Sequence, residues 1–253
     1  MSKLSIITIN YNDAEGLKKT IESVVSQSFR DFEYIVIDGG SLDHSKLVIE
    51  KFSSQISYWV SEKDNGIYDA MNKGILKAKG EYCFFINSGD FLVNQTVLNS
   101  VFSIQTTADI IYGNMKINWG GSKVTDGFMP DKITIEHMVK DTVWHPVSFI
   151  KKELFDKFGL YNTNYKIVAD YDFFFKTIIM NNVSTSYLNV FISEYNVEGL
   201  SSLPFNKKQE KIERTQVLNS YLSHETMHSF GYLLNEKKQS LISRLLIHIK
   251  NIF

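Results

Sequence analysis

The residues best able to do chemistry are acids and amides spaced along the first 172 positions of a 253-residue chain. Asp38 follows Tyr34-Ile35-Val36-Ile37, Asp90 closes Asn87-Ser88-Gly89-Asp90, and Asp170 and Asp172 sit in Val168-Ala169-Asp170-Tyr171-Asp172. An acid just past a buried strand lies where open α/β sheets bind ligands. Asp38 can accept from a base N–H, or it can close an Asx turn with Gly39 and Gly40. Asp90 can hold a hard cation such as Mg²⁺ or Mn²⁺ through oxygen, or it can cap the helix that follows. Asp170 can act as general base toward a hydroxyl, or it and Asp172 can simply charge the first turn of an apolar helix. His145, in Trp144-His145-Pro146, can ligate metal or phosphate, or be structural. Asp64, Gly66, Asp69 and Lys73 cluster at an Asn65-Gly66 turn and the helix after it. They can line a nucleotide, or form a turn and a solvated helix face.

The elements that must carry these residues read as an alternating series. Leu4 to Ile9, Tyr34 to Ile37, Ile56 to Val60 and Tyr82 to Ile86 are apolar or β-branched runs, hence buried strands. Helical spacing follows the first at Leu17, Ile21 and Val24, with Asn12 or Asp13 as N-cap, and recurs over 43–52 and 66–79. A β-α-β-α-β order predicts a parallel sheet with right-handed crossovers. Thr8, Asn10, Asp38, Asn87 and Asp90 then outline one crevice at the strand ends.

Beyond residue 90 the periodicity predicts a helix over 93–102, two short strands around Gly113-Asn114, a loop over 120–132 and a short helix over 133–140. A strand over 146–150, a helix over 152–158, a Phe-rich helix over 170–180 and a strand over 187–195 follow. A loop over 196–204 and a polar helix over 207–227 complete the series. Residues 237–253 place Leu241, Leu245, Leu246 and Ile249 on one stripe, with Arg244 and His248 off it. Such a helix can pack on its own domain, pair with a second copy as a homodimer, or lie on a membrane surface.

Bulk composition narrows the class. The chain is 43% hydrophobic and 22% charged, with net charge −1. This is a globular composition with no electrostatic case for nucleic acid. One cysteine, Cys83, allows no disulfide framework and no Cys-based zinc site within the chain. No apolar run approaches the roughly 18 residues a bilayer span needs. The start lacks a basic n-region and cleavage site, so no signal peptide is expected. These features predict a cytoplasmic location, or a peripheral one at the inner face of the cytoplasmic membrane.

Several motifs together resemble the family 2 glycosyltransferases of the GT-A fold, bacterial enzymes that build polysaccharide, capsule and lipopolysaccharide. They are Ser5-Ile6-Ile7-Thr8-Ile9-Asn10-Tyr11-Asn12, Ser23-Val24-Val25-Ser26-Gln27-Ser28 and Val36-Ile37-Asp38-Gly39-Gly40-Ser41-Leu42-Asp43. The most specific is Ser61-Glu62-Lys63-Asp64-Asn65-Gly66-Ile67-Tyr68-Asp69-Ala70-Met71-Asn72-Lys73-Gly74. The resemblance implies a Rossmann-like, mostly parallel sheet with flanking helices. Residues 1–205 would form the catalytic domain, 1–100 for the nucleotide-sugar and 101–205 for the acceptor. Residues 206–253 would be a helical extension.

The resemblance also implies roles. Thr8, Asn10 and Asp38 would hold the nucleoside, with Asp38 on the base edge. Asp64, Gly66, Asp69, Lys73, Asn87 and Ser88 would line the nucleotide and donor sugar. Asp90, with His145 as a second candidate, would hold Mn²⁺ or Mg²⁺. Asp170 would be the base, and Asp172, Glu198 and Ser201 would face the acceptor. The implied reaction is inverting transfer from a nucleotide-sugar, UDP-linked by expectation, to a glycan or lipid-linked glycan hydroxyl. Two departures stand out: Gly89 where the family carries an acid, and Ala169 where it carries Glu. The alternatives are a non-catalytic nucleotide-sugar-binding subunit of a synthase and a nucleotidyltransferase. The second would need a glycine-rich basic loop, and Thr8 to Asp13 has neither Gly nor Lys.

Overall fold

The computed structural model describes residues 2–197, 206–223 and 225–226. One mixed sheet runs through it. Strands β1 (Leu4–Asn10), β2 (Phe32–Asp38), β3 (Tyr58–Ser61) and β4 (Tyr82–Phe85) are parallel, in the order β3-β2-β1-β4. β1 and β4 are buried along their whole length because helices cover both faces, which is why their sequences lack charge. The sheet continues through β8 (Ser148–Lys151), β6 (Ile110–Asn118), β9 (Thr185–Asn196) and β5 (Phe91–Leu92). β8 is antiparallel to both β4 and β6. The GT-A type of mixed α/β sheet expected from the resemblance is therefore present.

The crossover helices are α1 (Ala14–Val25), α2 (Ser45–Lys51) and α3 (Ile67–Lys77). Asp13 caps α1 by accepting from Gly16 N at 2.9 Å. Gly74 lets α3 lie against β1, since a Cβ there would come within 2.5 Å of the Ile7 methyl Cγ2. Strand order reverses between β1 and β4. The switch-point crevice opens there, at the ends bearing Asn10 and Asn87.

The second half departs from the sequence reading in four places. α4 starts at Val97 and ends at Phe102, because 91–92 is taken up as β5 against β9. The two strands expected around Gly113 are one strand, β6. Its pairing with β9 shifts register between Tyr112 and Met115 instead of stopping. Glycine is needed at the shift, where a Cβ would meet Val190 O at 2.6 Å. The expected loop over 120–132 contains β7 (Val124–Gly127), which pairs with β6 as a hairpin. After α5 (Ile135–Lys140) and α6 (Lys152–Phe158), the Phe-rich helix divides into α7 (Ala169–Phe174) and a wider π-helical turn, Phe175–Met180.

Helix α8 (Asn206–Tyr221) docks on α7. Its Glu213 is 2% exposed and accepts from Lys166 N and Ile167 N at 3.0 and 2.9 Å. Tyr221 stacks on Phe175, and the Arg214 guanidinium lies 4.2 Å from the Tyr171 ring centroid. The loop over 198–204 and the amphipathic stretch 237–253 lie outside the described residues. No helix among the described residues is long and apolar enough to cross a membrane.

Candidate active site

The floor of the crevice is made where β1, β2 and β3 end. Asp38 is fully buried and its carboxylate is crowded with donors. Asn10 Nδ2 reaches Oδ1 at 2.7 Å, and Ser61 Oγ and Ser41 N reach Oδ2 at 2.6 and 3.0 Å. Ser41 Oγ also donates to Oδ1. Burial pushes this carboxyl up, but the Ser41, Ser61 and Asn10 donors outweigh it and hold it below the usual range. Asp38 thereby ties three strand ends together. Thr8 is also fully buried: Oγ1 donates to Ile86 O at 2.8 Å and accepts from the Tyr34 hydroxyl at 3.0 Å. It pins β1 to β4. The polar atoms of both residues are spent inside the sheet.

The Asn65-Gly66 turn forms the adjoining wall. Gly66 has φ +114, a conformation open to glycine. Asp64 Oδ1 accepts from Gly66 N at 3.0 Å and Asp69 Oδ2 accepts from Asn65 N at 2.9 Å. Lys73 Nζ lies 2.8 Å from Glu62 Oε1 and 3.9 Å from Asp69 Oδ2. The hydrogen bond to Glu62 is the main reason its ammonium titrates above the ordinary lysine range.

A second cluster brings together α3, the loop after β4, the turn before β8 and α7. The Tyr68 hydroxyl lies 2.7 Å from Asp170 Oδ1 and 2.6 Å from Ile167 O. One proton thus serves two acceptors. On the other side, His145 Nδ1 lies 3.5 Å from Asp170 Oδ2, and Asn87 Nδ2 lies 3.2 Å from His145 Nε2. With the amide NH₂ facing Nε2, the tautomer consistent with both contacts carries its proton on Nδ1, toward Asp170. The side chains of Asp170 and His145 are 14% and 20% exposed, so both retain an opening to solvent. Burial pushes the Asp170 carboxyl up, yet His145 and the Tyr68 hydroxyl more than offset it and hold the group below the usual range. Asn72 fixes this geometry from below: Nδ2 donates to Tyr161 O at 2.9 Å and Oδ1 accepts from Tyr161 N at 3.0 Å.

Asp170 and His145 are thus brought together, although 25 residues apart in sequence. Tyr68 is a side chain at this cluster that sequence reasoning did not nominate. Its signal was its place on the same helical face as Asn72, inside the most specific motif. Asp172 goes elsewhere: it is buried beside α8 and accepts from the Tyr221 hydroxyl at 2.9 Å. Glu198 and Ser201 lie outside the described residues.

Asp90 is 4% exposed. Among the described residues its carboxylate receives one hydrogen bond, from Asn196 N at 3.0 Å. Burial, opposed by that N–H and by His145, pushes its pKa up to about 7, with nearby Asp13 adding to the rise. Ser88 Oγ donates to Asp13 Oδ2 at 3.0 Å, and Gly89 has φ +93. A Cβ at Gly89 would lie 3.5 Å from that same Asp13 oxygen. Asn87 Oδ1 is buried and has no partner among the described residues. No group of three His, Cys, Asp or Glu side chains converges among the described residues.

Comparison with known proteins places this chain in a family. The model of glycosyl transferase family 2 matches residues 5–158. An uncharacterized glycosyltransferase of Mycobacterium tuberculosis is 32% identical over 203 residues, covering 79% of this chain and 77% of that one. The poly(ribitol-phosphate) beta-N-acetylglucosaminyltransferase TarP of Staphylococcus aureus is 25% identical, covering 90% and 80%. Among solved structures, S. aureus TarS in complex with UDP-GlcNAc superposes with a TM-score of 0.64 at 20% identity. That match covers 77% of this chain and 58% of the TarS chain. A mannosyltransferase from Pyrobaculum calidifontis, in complex with GDP-Man and Mn²⁺, superposes with a TM-score of 0.59 at 14% identity. With more than half its length matched by the family model, on a sheet of the same type, the chain belongs to the family 2 glycosyltransferases.

Proposed function

We propose that the protein transfers a sugar, with inversion, from a UDP-sugar to a hydroxyl of a glycan or lipid-linked glycan in cell-surface polysaccharide synthesis. One observation carries the reading: a carboxylate, Asp170, held ionised between Tyr68 and His145 beside the strand-end crevice. A base of low pKa takes its proton late, as the attacking hydroxyl loses electron density to the anomeric carbon. The O–H bond of the acceptor breaks, the new glycosidic C–O bond forms, and the bond to the nucleoside diphosphate breaks. Tyr68 is suited to follow that change. When Asp170 gains a proton, Tyr68 can direct its own to Ile167 O and accept from the new carboxyl O–H.

A divalent cation, Mg²⁺ or Mn²⁺, fits this reading as a companion of the donor. Among the described residues, a buried carboxylate with one hydrogen bond and an unpartnered amide oxygen are hard ligands. Asp90 and Asn87 would hold the cation, with diphosphate oxygens and water supplying the rest. Its chemistry would be neutralisation of the departing diphosphate. Residues 237–253 would give the peripheral membrane contact, which flotation with anionic liposomes tests by comparing the full chain with one ending at Asn235.

The test of the function is donor turnover. Released UDP is followed across a panel of donors and acceptors, with wild type and Asp170→Asn. Transfer by wild type and its loss in the variant, with UDP affinity preserved, supports the assignment. Equal turnover in the two removes Asp170 as base. Nucleotide-sugar binding with no turnover under any condition supports a binding subunit instead.

A further inference from the structure

Gly39 follows β2 without a side chain, and something else fills its place. A Cβ built there would meet Asp64 Oδ2 at 2.4 Å, Asp64 Cγ at 3.2 Å and Tyr11 Cδ2 at 3.3 Å. A carboxylate from the β3–α3 turn and a ring from the end of β1 thus share one spot above the strand ends. Asp64 spends Oδ1 on Gly66 N, while Oδ2 receives no hydrogen bond from a described residue. Tyr11 is 65% exposed.

The corner is preformed. Asn12 N donates to Ser41 Oγ at 2.7 Å, Leu42 N to Asn12 Oδ1 at 2.8 Å, and Ala14 N to Asp43 Oδ2 at 2.9 Å. Gly40, at φ +79, lets the β2 loop lie on the backbone at Lys63, 3.1 Å from where its Cβ would be. A flat ligand meets here an aromatic face and an acceptor-only oxygen, held by two braced loops and the Asp64 turn.

On the nucleotide-sugar function proposed above, we infer that Asp64, not Asp38, reads the nucleobase, with Tyr11 as its stacking face. Asp38 is fully buried, and both its oxygens already accept from protein donors. Asp64 Oδ2 can only accept, so placed opposite ring position N3 it selects a base that carries a proton there. Uracil presents N3–H. Cytosine presents a lone pair at N3, with its 4-amino donor one position away, and a methyl on uracil N3 removes the donor. Gly39 is required because any side chain would displace the carboxylate or the ring.

Calorimetric titration of the full chain with UDP, N3-methyl-UDP and CDP tests this, using wild type, Asp64→Asn, Gly39→Ala and Tyr11→Ala. Wild type is expected to bind UDP at least about tenfold more tightly than the other two. Asp64→Asn is expected to lose about tenfold or more for UDP and to lose the preference over CDP, since its amide can donate to cytosine N3. Gly39→Ala and Tyr11→Ala weaken UDP binding, with melting temperatures showing that each variant is folded. Asp64→Asn with the wild-type preference for UDP over CDP overturns the assignment. So does a folded Asp38→Asn that alone erases the preference. Wild type binding no nucleotide overturns the nucleotide-sugar function itself, a result distinct from either.

Discussion

Tyr68 and Asp170, separated by 102 residues, meet through a 2.7 Å hydrogen bond that joins the first turn of α3 to the first turn of α7. The Tyr68 ring also packs on Tyr161, centroid to centroid at 5.6 Å, so removing only the hydroxyl leaves the packing intact. Tyr68→Phe is therefore expected to lower kcat by about tenfold or more while leaving the donor KM near wild type. Steady-state kinetics with saturating acceptor check the split. A changed KM with unchanged kcat would place Tyr68 in donor binding instead.

His145 has a different signature. Asp170 is held below the usual carboxylate range, so its base form persists at neutral pH and is lost only as pH falls through that lowered value. With metal and donor saturating, Asp170 should therefore contribute no acid limb to wild-type kcat above the ordinary carboxylate range. His145→Gln removes the imidazole and leaves burial less opposed. The acid limb of the kcat profile should then move up in pH. An unmoved limb would show that His145 does not set the charge of Asp170.

Asp90 carries the opposite shift, upward to about 7, so a proton competes with any cation near neutrality. UDP affinity in Mn²⁺ is expected to weaken as pH falls from 8 to 6, by up to about tenfold per unit at the low end. Asp90→Ala should flatten that dependence and remove the effect of chelator. Calorimetry with and without EDTA reads both. A chelator-insensitive wild type would exclude Asp90 as a cation ligand.

Asp172 serves the fold, and its substitutions separate charge from hydrogen bonding. Burial raises its pKa, with Tyr221 and Lys176 opposing. A raised folded pKa means that Asp172 favours folding below its unfolded value and that this is lost as pH rises through the folded one. At pH 7.5 the buried charge is a cost. Asp172→Asn, which keeps an acceptor for Tyr221, should melt at or above wild type. Asp172→Ala should lose about 1–3 kcal/mol by leaving the Tyr221 hydroxyl unpaired. Differential scanning calorimetry distinguishes them.

Much of the first half was legible residue by residue. β1 and β4 are buried on both faces, so every position is apolar or small and uncharged, and the run announces itself. Asp13 and Gly66 mark their helix starts by local chemistry that needs no partner. The second half resisted because its elements are defined by neighbours. Val124–Gly127 is exposed at three of four positions and becomes a strand only by pairing with β6. Gly113 reads as a break, yet the strand runs through it, because the decisive neighbour is a carbonyl at Val190.

The site divides along the same line. Residue types and short spacing offered Asp38, Asp64, Asp90, His145 and Asp170 as candidates, each with a structural alternative, and the motif resemblance assigned their roles. Which of them keeps a free oxygen was decided by the tertiary fold. Asp38 is saturated by Asn10, Ser41 and Ser61, whereas Asp64 Oδ2, over Gly39, accepts no hydrogen bond from a described residue. Asp170 gains its low pKa from His145 and Tyr68, both distant in sequence, and Asp90 gains its high one from burial. Charge state and hydrogen-bond occupancy depend on solvent exclusion and on donors brought in by other elements. Neither quantity exists until the chain has folded.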